Sequence, residues 1–336
     1  MWFLPAAPED AAPTDMPWPV AAREGSLAPD VWQQAERSCY RDLLSAVEAL
    51  VRFGERLKHL PPEGAERVAL MSVSAALRAE GLWFGPEKIA LYRSMRLAAD
   101  SEAQVLARAS WAVRRLTGHG AGVLDGLRDF LGRTEVAQPL DPDPDTARPV
   151  GNELDLLGGD FSDHTNRLSD CDALTRAAYG FAFWRREGIT PWDELLEPTV
   201  AALILGADGR APFVPISAGH SFDRHGVTSG AGSAEARLKV FYKAVEAGAL
   251  AALMELDRLM VWRDRAAGAT RDLSGGTPPA LIQALLGFPI VSAELVAKDV
   301  GCTTMTARRN LNIFTERGLA REVTGQGRYR FWAVAG

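Results

Sequence analysis

Cysteine is nearly missing: Cys39, Cys171 and Cys302 are the three in 336 residues, odd in number and far apart. That argues against a disulfide framework and against a local zinc knuckle, and leaves buried structural thiols as the expected role. Long apolar runs are missing too, since no stretch approaches the roughly 18–20 residues of a membrane helix. The apolar run Ala201–Leu205 ends at the turn signal Gly206-Ala207-Asp208-Gly209. No Lys or Arg precedes Arg23, so the basic start of a secretory signal is lacking and the expected location is cytoplasmic. There is no Gly-x-x-x-x-Gly-Lys phosphate loop, no Gly-x-Ser-x-Gly elbow and no His-Glu-x-x-His zinc motif.

Positive charge is in short supply overall, with 37 Lys and Arg against 43 Asp and Glu and a net charge of −6. It is unevenly spread. From Pro279 to Gly336 seven basic residues (Lys298, Arg308, Arg309, Arg317, Arg321, Arg328, Arg330) face four acids, a local +3 that leaves −9 for the rest. An acidic body with a basic C-terminal module suits attraction of phosphate by the module and repulsion of it by the body.

What the chain has in abundance is helical periodicity. Trp32, Ala35, Cys39, Leu43, Val47, Leu50 and Val51 recur at spacings of three and four, which predicts a helix ended by Pro61-Pro62. Further helices are expected over 63–80, from Pro86, over 101–116 and over 123–131. The acidic, proline-dense run Pro139-Leu-Asp-Pro-Asp-Pro-Asp145 reads as a linker. Helices are then expected over 168–187 and 192–205, with Leu157-Gly-Gly-Asp160 as a turn and 206–232 irregular. A long helix should open at Ser233 or Ala234 and end near Arg265. Leu273-Ser-Gly-Gly-Thr-Pro-Pro279 reads as a flexible hinge. The expected architecture is mainly α: a flexible arm (1–27), an N-terminal helical domain (28–137), a linker (138–152), a second helical domain (153–272) and a C-terminal module (279–336).

That module carries the most specific signal. A short helix through Leu281, Ile282, Leu285 and Leu286 breaks at Gly287 and Pro289, and Ser292 is a good N-cap for a second. Gly301-Cys302 makes a turn, Thr303 caps a third helix, and Gly318 ends it. Two strands, 319–323 and 328–334, flank Thr324-Gly-Gln-Gly327. This is the layout of a winged helix-turn-helix, whose third helix reads base edges from its N-terminal half. Ala307, Leu311 and Phe314 should face the core. Arg308 and Arg309 are then the expected base or phosphate contacts, and Thr303, Thr304, Thr306 and Asn312 further DNA contacts. Arg328 and Arg330 alternate with Tyr329 and Phe331, so a strand would put both guanidiniums on one face of the wing.

The runs Phe288-Pro-Ile-Val-Ser-Ala-Glu-Leu-Val-Ala297 and Arg321-Glu-Val-Thr-Gly-Gln-Gly-Arg-Tyr-Arg-Phe-Trp332 resemble the C-terminus of an alphaproteobacterial helix-turn-helix family, often plasmid-borne in rhizobia. Weaker likeness extends through Leu256–Leu259 and through Ala49–Leu57 with Glu80-Gly81. The resemblance implies a DNA-binding regulator and supplies no catalytic residue. The layout of helical body plus winged helix also resembles Fic-type nucleotidyl transferases. Their motif needs a histidine followed by a Gly-Asn-Gly-Arg nest, and the nearest stretch, His220-Ser-Phe-Asp-Arg-His-Gly226, lacks the nest. His220, Asp223 and His225, with Asp163-His164, would suit a metal only if rigidly held, and solvated loop histidines are the expected reading. Trp83, Trp111, Trp184, Trp192 and Trp262 are expected as core or interface anchors.

The expectation is therefore a transcriptional regulator that binds double-stranded DNA in a sequence-specific way. It would act as a homodimer, with a protein partner possible through its acidic body. No enzyme activity, metal, cofactor or membrane association is expected. A structural or maintenance protein of a plasmid or other mobile element is the alternative, and a divergent Fic-like enzyme a third reading.

Overall fold

The apolar stripe that begins at Trp32 is carried by two helices rather than one. In a computed structural model that describes residues 27–95, 99–133, 148–217, 232–325 and 329–336, Cys39 leaves helical geometry (φ −102°, ψ 15°) between α1 (Pro29–Ser38) and α2 (Tyr40–Leu57). Then follow α3 (Gly64–Ala79), α4 (Pro86–Met95), α5 (Asp100–Leu116), α6 (Leu127–Leu131), α7 (Gly151–Asn166), α8 (Ala173–Arg186), α9 (Leu196–Leu205) and α10 (Ala234–Ala269). The protein is mainly α. The arm up to residue 26, the linker residues 138–147, His220, Asp223, His225 and Arg328 lie outside the described residues.

Three local readings are corrected. Leu157-Gly-Gly-Asp160 is not a turn but the middle of α7. Each glycine costs a helix roughly 1 kcal/mol relative to alanine, and burial of Leu154 and Phe161 on the same helix outweighs that. Helix α8 starts at Ala173 rather than Leu168 because Asp172 caps it, accepting the Leu174 N–H at 2.9 Å. Helix α10 continues past Arg265 for one more turn.

Helices α2 and α10 form the spine. Cys39 lies beside Glu235 and Arg56 beside Asp257, so the two run parallel although nearly two hundred residues separate them. The stretch after α9 is wedged against both. A methyl at Gly54 on α2 would collide with the Arg210 carbonyl oxygen, and one at Gly248 on α10 would lie 2.7 Å from the Ile216 Cα. Glycine is used at both positions for close approach of backbones. Phe213, Val214 and Ile216 of that stretch are buried, and the Ile216 N–H reaches Ser72 Oγ of α3.

A buried ionic knot ties α3, α5 and α9. Arg108 on α5 donates to both oxygens of Glu80 and of Glu197 at 2.8–3.1 Å. Glu80 also accepts the Leu195 and Leu196 N–H groups at 2.7 Å, so its charge sits at the N-terminus of α9. Elsewhere the body is held by aromatic contacts. Trp32 meets Tyr179 edge-on at 5.4 Å, and Phe161 packs on Phe183 and Trp184. Of the tryptophans expected as anchors, Trp184 and Trp262 are buried and Trp111 half-buried. Trp83 and Trp192 are instead exposed and stack under Arg78 and Arg185. Cys39 and Cys171 are buried, with Cys171 pushed up to about 11 by burial, whereas Cys302 is half-buried. Among the described residues no helix is long and apolar enough to cross a membrane.

The C-terminal module comprises α11 (Thr277–Gly287), β1 (Val291–Ser292), α12 (Ala293–Val300), α13 (Thr304–Glu316), β2 (Ala320–Glu322) and β3 (Phe331–Val334). The strands form an antiparallel sheet in the order β1-β3-β2, with Val291 opposite Trp332 and Arg321 opposite Ala333. Two-residue β1 was not legible in the sequence, being too short to show alternation.

The expected hinge is shorter than seven residues, for α11 already begins at Thr277. The module is docked on the body rather than merely tethered. Arg67 of α3 donates from Nη2 to the Leu285 and Phe288 carbonyls, both at 2.8 Å, closing the C-terminus of α11. The Trp262 indole of α10 donates to the Leu319 carbonyl at 2.8 Å. Arg317 holds Asp272 at 2.6 and 2.7 Å, and Arg321 pairs with Glu87. Buried side chains from Leu27 to Val334 form one contiguous cluster across the junction.

Candidate nucleic-acid interface

The helix-turn-helix is built by its caps. Ser292 Oγ accepts the Leu295 N–H at 3.1 Å and starts α12. Gly301 ends it at φ +72°, a left-handed conformation that favours glycine. Thr303 Oγ1 then accepts the Thr306 N–H at 3.1 Å and starts α13. Ala307, Leu311 and Phe314 are fully buried, as their spacing predicts, and the small Ala307 lets α13 approach α12 closely.

With 100° per residue, the face opposite that buried stripe carries Met305, Arg308, Arg309 and Asn312. Thr303, Thr304, Met305, Arg308 and Arg309 are exposed, whereas Thr306 and Asn312 are half-buried. The two threonines predicted as DNA contacts at the cap are already engaged with each other, Thr303 Oγ1 lying 2.9 Å from Thr306 Oγ1. They shape the helix start, and Thr304 is the freer hydroxyl.

The wing departs from expectation. Tyr329 has φ +56°, outside strand geometry, and β3 begins only at Phe331. Arg330 is not presented outward as a free cation. Its guanidinium pairs with Glu322 of β2, Nε at 2.7 Å, and lies 5.0 Å over the Trp332 ring. Thr324 adds a second tie by accepting the Phe331 N–H at 3.3 Å. The guanidinium therefore braces the hairpin.

The ion pairs decide where the module's positive charge is available. Arg317 and Arg321 are spent on the body and Arg330 within the wing. Among the described residues, Arg308, Arg309 and Lys298 are exposed and make no salt bridge. Lys298 stands in the last turn of α12, just before the Gly301 turn that leads to the recognition helix. It entered the sequence reading only as a unit of charge, and its place on the helix-turn-helix was the missed signal. Met305 is 83% and Tyr329 74% exposed.

Of the remaining metal candidates, Asp163 and His164 are the described ones. His164 is on α7, with Nδ1 3.1 Å from the Tyr179 hydroxyl and its ring against Phe183, so it is engaged in packing. Among the described residues no group of three metal-ligating side chains converges.

Comparison with known proteins bears on the same module. Residues 278–335 match a family described as an HTH DNA binding domain. A further likeness is to an uncharacterized protein of Sinorhizobium fredii, 38% identical over 103 residues. That alignment covers 30% of this chain and spans 26% of the relative's length.

Proposed function

We propose that the protein binds specific double-stranded DNA sequences as a transcriptional regulator, with α13 as the reading helix and a homodimer as the working form. One observation carries the reading: among the described residues Arg308 and Arg309 project from the N-terminal half of α13 without an acidic partner, the exposed Lys298 lies near the end of the preceding helix, and the module's other described arginines are engaged. Unpaired guanidiniums at such a position suit bidentate contact with guanine or with phosphate. Thr304 and Asn312 flank them as hydrogen-bonding groups, and Thr303 and Thr306 serve by holding the helix start. Matching of the module to a DNA-binding family supports the same reading. The acidic body would keep non-specific contact low and offers surface for a protein partner.

Sequencing of DNA fragments recovered with the intact protein tests this. A discrete motif is expected, whereas broad coverage without a motif would replace regulation by an architectural role. Arg308→Ala with Arg309→Ala should erase the motif preference, each base contact being worth roughly 1–3 kcal/mol. If three cations per protomer neutralise phosphate, log K should fall with log salt at a slope of about −2.7 per protomer.

A further inference from the structure

The long helix α10 carries an outward row that nothing among the described residues covers. Placed at 100° per residue, Ala247, Leu250, Met254 and Val261 fall on one line over four turns. Leu250, Met254 and Val261 are 44%, 74% and 71% exposed. On one side of that line stand acids, Glu246, Asp257 and Asp264. On the other stand arginines, Arg258 and Arg265. Helix α2 also shows apolar residues, Tyr40, Leu44 and Val51, but its flanking charges, Glu48 and Arg52, pair with each other and give no sign pattern.

The two flanks of opposite sign determine what fits the row. We infer that α10 pairs with α10 of a second copy of this chain, parallel and about a two-fold axis running along the helices. Such an axis sets the acidic flank of one copy against the arginine flank of the other, Asp257 facing Arg258 and Asp264 facing Arg265. An antiparallel pair would set acid against acid and arginine against arginine. The existing partners do not compete strongly. Asp257 with Arg56 and Asp264 with Arg263 are solvent-exposed pairs of low individual worth, and Arg258, though held bidentately by the half-buried Glu255, keeps 42% of its side chain exposed.

Parallel pairing has a consequence for the module. Trp262 and Arg265 near the C-terminus of α10 both reach the winged helix, at Leu319 and Ala335. The two winged helices therefore emerge at the same end of the pair, as a two-fold DNA site requires. This deepens the homodimer in the proposal above but rests on α10 alone, so it is tested without DNA.

Sedimentation velocity of the full chain over the micromolar range is the test. Wild type should be dimeric, and Met254→Glu with Val261→Glu should weaken self-association by about tenfold or more, since it places carboxylates in the apolar seam. Far-UV circular dichroism should be unchanged, because both positions are exposed, and the melting temperature should match that of wild type diluted to its monomer. Arg258→Glu with Arg265→Glu, and separately Asp257→Lys with Asp264→Lys, should each be monomeric, and the two mixed should form a heterodimer. A monomeric wild type, a folded Met254→Glu/Val261→Glu protein that stays dimeric, or charge variants that fail to pair when mixed would each overturn the inference. DNA recovery by the monomeric variants leaves this test untouched and reads the DNA proposal separately.

Discussion

Arg67→Met is the perturbation that most directly probes how the winged helix is held. Arg67 is 9% exposed, and burial pushes its guanidinium down to about 10, still charged at neutral pH. Its Nη2 serves two carbonyls, Leu285 and Phe288, that end α11 and lead into β1. Each hydrogen bond from a charged donor is worth roughly 1.5–3 kcal/mol, and a buried carbonyl left without a donor costs about 1–3 kcal/mol. Against this stands the cost of burying the cation, visible in its Nε, which is buried and unpartnered. A net loss of roughly 2–4 kcal/mol on substitution follows. Urea unfolding followed by tryptophan fluorescence should show the lower midpoint, and amide exchange should quicken across α11 and β1 first. Arg67→Lys, which keeps the charge and the donors on a shorter side chain, should fall between. A folded Arg67→Met protein within about 0.5 kcal/mol of wild type, with α11 exchange unchanged, would refute the reasoning.

Four further outcomes are expected. Arg108→Leu should cost roughly 3–5 kcal/mol in chemical denaturation, because it strands the Glu80 and Glu197 carboxylates; Arg108→Leu with Glu80→Gln and Glu197→Gln should recover part of that. Burial pushes the Glu197 carboxyl up, but the Arg108 hydrogen bonds and charge outweigh it and hold the group below its ordinary range. Its contribution is therefore full above the unfolded value near about 4.3 and is lost as pH falls through the folded one; an acid titration of stability in which Glu197→Gln steepens the loss would contradict this. Gly54→Ala and Gly248→Ala should each destabilise by about 1–3 kcal/mol or more through backbone collision, and a neutral melting temperature for either would show that the wedged stretch can move aside. Arg330→Ala should loosen the wing by roughly 0.5–1 kcal/mol, read as faster exchange at Val323, while Glu322→Gln should do much the same; a loss of DNA affinity with no change in wing exchange would restore Arg330 as a direct contact.

The sequence revealed most where local chemistry and packing agree. Ser292, Gly301 and Thr303 act as the caps their types predict, and Ala307, Leu311 and Phe314 are buried at the spacing that predicts it. It misled where tertiary contacts override a local signal. Gly158 and Gly159 read as a turn but lie within α7, because Leu154 and Phe161 on either side anchor that helix in the core. The interface was half legible for a different reason. Residue type and spacing locate Arg308, Arg309 and Arg330 alike, but only the fold shows that Glu322 has already taken Arg330. The docking of the module was hidden entirely, since Arg67 and Leu285 are more than two hundred positions apart.

The stretch around Arg210–Ile216, caught against two glycines on helices from opposite ends of the body, also constrains how the chain reaches this state. Helix α2 is made early in the chain and α10 late, so their union cannot be completed until everything between has been synthesised. The wedged stretch touches both helices, so three segments far apart in sequence meet at one place. Contacts of such long sequence separation slow folding. An N-terminal fragment released at the acidic linker would leave the apolar face of α2 without its cover. Neither part of a chain divided there would hold both helices of the spine.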